Sequence, residues 1–300
     1  MKNYSSEIAA RKLVSKKVSL GVSRHQTKEK LAIVTSVGTA RNHRNSLKVT
    51  ADWLLSSKGK HLDNMNESDA IEYLTLRSLT AGQSTVDLAR QAMNLHLFSA
   101  SPIPFFPSTH KKELVNRAYT KGEVELLLKH ANSKLGFSIR LAVYAGLRAF
   151  ELLTIAPAGF FPESDRDAWA EERFLGRGKD CVFVVHGKGG LRRQVRVSQD
   201  LADELAQHLL LVPKRIKDRE VIHLSYFDLT GGANFSSQFS KLSNKVLGSS
   251  RGAHGLRHTF AQQRLRELIC CGLSYERALQ VLSNELGHFA TTNTLAYLRH

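Results

Sequence analysis

Apolar positions in the first third of the chain recur at helical spacing. In "ARNHRNSLKVTADWLLSSKGK", Leu47, Ala51, Leu54 and Leu55 fall at i, i+4, i+7 and i+8, the stripe of a helix that stops before Gly59. "SDAIEYLTLRSL" predicts a second helix capped by Ser68, and "STVDLARQAMNLHLF" a third capped by Ser84. Residues 38–100 therefore read as a small helical bundle. "SASPIPFFPSTHKKE" follows, where Pro102, Pro104 and Pro107 stop any helix and force extended backbone, so 101–117 read as an interdomain linker.

Helical spacing returns with "TKGEVELLLKHA", where Thr120 and Glu123 stand at capping-box distance. "GFSIRLAVYAGLRAFELLTI" predicts a helix pair broken near Gly146. Between Cys181 and Ser198 the period shifts to two. "CVFVV" and "LRRQVRV" flank the turn "HGKGG", which predicts a hairpin. "SQDLADELAQHLLLV" (capped by Ser198), "SSQFSKLSNKVL", "HGLRHTFAQQRLRELICCG" and "SYERALQVLSNELG" predict four more helices. The expected fold is mainly α with a small antiparallel β-sheet, in two domains: a helical bundle, then a larger domain over 118–300 that carries the sheet.

Charge sharpens the picture. The 300 residues carry a formal charge of +16, which points to a polyanionic partner. Residues 1–50 hold eleven Lys/Arg against Glu7 and Glu29. The basic segment 1–37 is thus either a phosphate-contacting extension or part of the first bundle. No run approaches the ~18 apolar residues of a membrane span, and the N-terminus lacks the apolar core of a signal peptide. Cys181, Cys270 and Cys271 form neither a disulfide framework nor a zinc pattern, so a reduced, cytoplasmic setting is expected.

The chain has no H-E-x-x-H, no G-x-S-x-G and no acidic pair at metal-ligand spacing. "HGKGG" is not a phosphate-binding loop of the Walker type, because the lysine is followed by glycine. His254 and His258 are four apart, but nothing nearby supplies a third metal ligand and the basic surroundings repel a cation. No metal and no cofactor is expected. Dispersed donors remain: Arg148, Lys188, His254, Arg257 and His288, with Tyr297 nine residues beyond the last.

In this order they resemble the tyrosine recombinase, or phage-integrase, family, whose catalytic domain is shared with type IB topoisomerases. The matching pieces are G-L-R-x-x-E-L at 146–152, the G-K-G turn at 187–189, H-x-x-R-H-T-F at 254–260, L-G-H at 286–288 and Tyr297. The resemblance covers about 118–300 and extends more weakly to 38–100, which looks like the family's core-binding domain. It implies a site-specific DNA recombinase, the integrase of a mobile element, that works through a covalent 3′-phosphotyrosyl intermediate without metal or ATP. By this resemblance Tyr297 is the nucleophile and Arg148, Arg257 and His288 grip the phosphate. His254 accepts the phenol proton or tunes the phosphate, and Lys188 protonates the leaving 5′ oxygen. Glu151 supports the arginine, whereas His258 caps or packs. The three potential cations of "HGLRHTF" are expected to tolerate one another around a DNA phosphate.

The implied partners are double-stranded DNA, further copies of the chain in a tetramer on synapsed sites, and accessory DNA-bending proteins, with no membrane. Bound to DNA, the protein would be nucleoid-associated. Two other readings stay open: a non-catalytic DNA-binding protein that kept the fold, and a monomeric relaxing topoisomerase. "APAGFFPESDRDAWAEERFLGRGKD" is longer and more polar than the family's usual link and reads as a surface insertion. Family members commonly continue past the tyrosine into a tail that docks on a neighbouring protomer. These residues end three positions after Tyr297, so tail exchange is not expected within them.

Overall fold

The computed structural model describes residues 5–19, 33–110, 115–166 and 169–299, together with the backbone but not the side chain of Lys188. The chain divides into two compact units, Met1–Glu113 and Leu114–His300.

The first unit is built on helices α1 (Ser6–Ser15), α2 (Val37–Lys58), α3 (Glu67–Thr80) and α4 (Gln83–His96). Leu47, Ala51 and Leu54 of the predicted stripe are fully buried with Leu74, Val86, Ala89 and Met93. Leu55, at the edge of that stripe, is exposed. Helix α1 is drawn from the basic segment, yet Ala10, Leu13 and Val14 bury it in the same core. Arg24, Lys28 and Lys30 lie outside the described residues.

Two predicted caps move toward the N-terminus. Asn66 caps α3 because Asp69 returns the bond to its backbone, a reciprocal box that Ser68 has no partner to build. Helix α4 starts after Gly82, one residue ahead of Ser84. The proline stretch is extended, but it is fastened rather than free. Ile103 is buried and exchanges backbone bonds with the Asn94 amide, and the Ser108 hydroxyl reaches the Ala81 carbonyl.

The second unit opens with α5 (Lys121–His130), whose N-terminus carries the full Thr120–Glu123 capping box. Helix α6 (Ser133–Ala145) ends at Gly146 in the left-handed conformation. The predicted second helix of that pair is only a turn and a short 3-10 segment, Glu151–Leu153. Strands β1 (Ala156–Pro157), β2 (Cys181–His186) and β3 (Arg192–Val197) form an antiparallel sheet in the order β1-β2-β3. The turn Lys188–Gly190 joins β2 to β3.

Helix α7 (Gln199–Gln207) is shorter than predicted, because "LLLV" leaves it for strand β4 (Leu209–Asp218). Pro213 follows that apolar run and cannot extend a helix, whereas β5 (Val221–Phe227), rich in β-branched and aromatic residues, offers a partner strand. A second, two-stranded sheet thus stands where one was expected. Helices α8 (Gly232–Leu247), α9 (His254–Cys270), α10 (Tyr275–Glu285) and α11 (Thr291–Leu295) complete the unit. The fold is mainly α with small antiparallel sheets.

Candidate active site

The site starts from Gly146. Its φ of +61° is a left-handed value that glycine adopts without strain, and a Cβ there would collide with the Phe260 ring. That close approach lays the end of α6 against α9, and Arg257 donates to the Gly146 carbonyl. The other terminal nitrogen of Arg257 donates to the carbonyl of Leu286, just past α10. Two element ends therefore fix one fully buried guanidinium, and each terminal nitrogen keeps a second N–H for another acceptor.

Gly146→Ala is expected to lose about 2–4 kcal/mol of stability, from left-handed strain plus overpacking. Denaturant unfolding reads this directly, and a change below about 0.5 kcal/mol would contradict the packing described.

Glu151 lies beneath the cationic groups with no exposure to solvent. Its carboxylate accepts from Arg148 Nη1 at 2.7 Å, from the Arg148 backbone at 2.8 Å and from Arg193 Nη2 at 2.7 Å. Arg257 Nη1 stands 3.7 Å away. Burial alone would raise the Glu151 pKa, but Arg193, Arg257 and Arg148 outweigh it and hold the group down to about 2. One anion thus serves three guanidiniums, and the cluster keeps an excess of positive charge.

Sequence reasoning missed Arg193. It is 1% exposed and donates to Glu151 and, at 2.8 Å, to the Glu285 carbonyl. Arg193, Val195 and Val197 are the buried positions of a strictly alternating strand. The period-two pattern of "LRRQVRV" was the available signal.

Arg148 Nη2 donates to His288 Nε2 at 3.1 Å. An arginine can only donate, so Nε2 is the acceptor, and Nδ1–H faces the Thr294 hydroxyl at 3.0 Å. Burial first, then Arg257, Arg148 and Arg193, push the His288 pKa down to about 3. His254 falls to about 4 through burial and Arg257, and His258 to about 4 through burial and Arg117. The sequence reading of three potential cations in "HGLRHTF" that tolerate one another around a phosphate needs correction. Both histidines are neutral at pH 7 through burial, and Arg257 is the one fixed charge of that turn.

The Tyr297 ring packs among these histidines, with centroids 5.3 Å from His254, 4.5 Å from His258 and 5.5 Å from His288. The Arg257 guanidinium lies 5.8 Å from the ring centre. Arg148, Glu151, His254, Arg257, His288 and Tyr297 are therefore brought together from both ends of the unit. Lys188 opens the β2–β3 turn, and its side chain lies outside the described residues. Among the described residues, no group of three His, Cys, Asp or Glu side chains is placed to hold a metal ion. No helix among them is long and apolar enough to cross a membrane.

Neither the models of known protein families nor the curated proteins give a match to this sequence. Solved structures do. The XerH site-specific recombinase bound to palindromic difH substrate, a post-cleavage complex, aligns over 98% of this chain and 90% of its own, with TM-score 0.54 and 16% identity. The Tn1549 transposon integrase in complex with circular intermediate DNA aligns over 97% and 95%, with TM-score 0.56 and 16% identity. A lambda integrase dimer bound to a COC′ core site aligns over 88% and 72%, with TM-score 0.57 and 14% identity. The chain has the tyrosine recombinase fold. Within a recombinase fold, a tyrosine ringed by neutral histidines beside surplus guanidinium charge is suited to phosphodiester chemistry.

Proposed function

We propose that this chain is a site-specific DNA recombinase, serving integration or excision of a mobile element, that cuts and rejoins DNA through Tyr297. One observation carries the reading: Tyr297 is set against three neutral histidines, beside three guanidiniums that share the buried Glu151 carboxylate, which leaves positive charge uncompensated. A phosphodiester supplies the missing anion.

The Tyr297 oxygen attacks phosphorus and forms an O–P bond as the P–O5′ bond breaks. The products are a 3′-phosphotyrosyl ester and a 5′-hydroxyl. Charge grows on the non-bridging oxygens in the transition state, where the free N–H groups of Arg148 and Arg257 act as planar donors. Such preorganised donors are worth roughly 3 kcal/mol each. His254, neutral and beside the ring, takes the phenol proton. His288, held by Arg148 and Thr294, lines the phosphate side, and Lys188 protonates the leaving oxygen. The ester keeps the bond energy, so rejoining needs neither ATP nor a metal.

Double-stranded DNA is the partner, and affinity should fall steeply with salt because phosphate contacts dominate it. Copies of the chain would assemble on synapsed sites, with accessory DNA-bending proteins where a site requires them.

The test is a nicked suicide duplex carrying DNA that flanks the chain's own gene, incubated in EDTA without ATP. Protein trapped on the 3′ end is the expected product. A 5′-linked adduct, or none on any flanking sequence, would overturn the reading.

A further inference from the structure

Strand β3 is the outer strand of its sheet, and its free edge is covered by residues that follow β1. Ser164 donates its backbone N–H to the Arg192 carbonyl at 2.9 Å, and Arg192 returns a bond to the Ser164 hydroxyl at 3.0 Å. The Gln194 N–H reaches the Glu163 carboxylate at 2.7 Å. That carboxylate also takes both terminal nitrogens of Arg173, at 2.8 and 2.6 Å, and the pair is largely buried.

From Arg173 the contacts run on toward the reacting centre. Its guanidinium lies 4.1 Å from the Trp169 ring centre, and the indole N–H is tied to the Ser164 carbonyl at 2.9 Å. Trp169 packs on Phe289 with centroids 5.0 Å apart, and Phe289 directly follows His288. Two backbone N–H groups secure the same stretch to side chains of α10: Ala170 donates to the Asn284 amide oxygen at 2.7 Å and Phe174 to the Glu285 carboxylate at 2.8 Å.

We infer that Glu163, acting with Arg173 and Trp169, is a positioning residue that sets the β2–β3 turn against the His288 loop. The inference rests on the recombinase reading above. Arg193 already ties β3 to α10 on the core side. The ladder to β2 and the Ser164–Arg192 bonds hold the start of β3, and Glu163 grips its outer edge at Gln194, so the strand is fixed on the side away from β2 as well. A bidentate ion pair that also accepts a backbone N–H holds its geometry better than either bond alone. The turn carries Lys188, whose ammonium gives a proton to O5′ as the P–O5′ bond breaks. A turn displaced by about 1 Å withdraws that proton, at a cost on the order of 10²-fold in rate. Arg148 and Arg257, which lie outside β3, stay in place.

Leaving-group chemistry distinguishes this role from general loosening. In a suicide duplex whose scissile 5′-bridging oxygen is replaced by sulfur, the departing thiolate needs no proton donor. Glu163→Ala should form the 3′ adduct about 10- to 100-fold more slowly than the parent on the oxygen duplex. On the sulfur duplex it should come within about threefold of the parent, because only the proton-dependent step was lost.

Glu163→Gln keeps an acceptor for Gln194 and loses the ion pair. It should show a smaller defect of the same kind, and it stands in should the alanine variant not fold. Equal losses on both duplexes, or none on the oxygen duplex, would overturn the inference. Absence of any adduct from the parent protein would instead overturn the recombinase reading.

Discussion

Tyr297→Phe is expected to abolish the covalent protein–DNA adduct while leaving affinity for the same duplex within about twofold. The substitution removes one oxygen and keeps the ring that packs between His254, His258 and His288. Tyr297 is 8% exposed, so a phenyl group of the same shape preserves the apolar packing around it. Binding rests on phosphate contacts from arginines and lysines that the change does not touch. Covalent catalysis has no substitute once its nucleophile is gone, since water attack would give a nick rather than a linked protein. Denaturing electrophoresis of the suicide-duplex reaction separates the two products. An adduct formed by the phenylalanine variant would move the nucleophile elsewhere and remove the basis for the roles assigned around residue 297.

How far the sequence carried this picture depends on the kind of signal. Local chemistry read well. The Thr120–Glu123 box, the hairpin around "HGKGG" and the helix opening at "HGLRH" are each specified within a few residues of chain. Errors arose where local and tertiary preferences compete. "LLLV" extends the apolar face of α7 by eye, but Pro213 and the pairing with β5 make it a strand. Asn66 outcompetes Ser68 because a capping box needs both members.

At the site, motif spacing indicated which residues to expect but not their charge states. Burial turns His254, His258 and His288 into neutral groups, and a linear reading of "HGLRHTF" has no access to burial. Arg193 was hidden for the opposite reason. An arginine in a basic strand looks like solvent-facing charge until the alternation with Val195 and Val197 places it inside.

That hidden arginine underlies the second large expected effect, on Glu151. Glu151→Gln keeps the volume and one acceptor oxygen but removes the carboxylate that Arg148, Arg193 and Arg257 share. Stranding buried charges in this way typically costs about 3–5 kcal/mol, and the variant should lose that much in denaturant unfolding. The pH dependence follows from the depressed pKa. An ordinary glutamate titrates near 4.5, and this one is held at about 2. The unfolded chain therefore takes up a proton in that window that the folded chain refuses, and acid favours unfolding. The contribution is full above pH 4.5, fades as pH falls and is gone below about 2; integrated, it is on the order of 3 kcal/mol.

In the glutamine variant the Glu151 share of this acid limb should be lost. Added sulfate or DNA should restore more stability to the variant than to the parent, because an external anion then supplies the missing counter-charge. If the variant unfolded at the parent's denaturant midpoint, with the same acid limb and the same response to sulfate, the three guanidiniums would not depend on Glu151. The surplus-charge argument for a phosphate site would then fail with it.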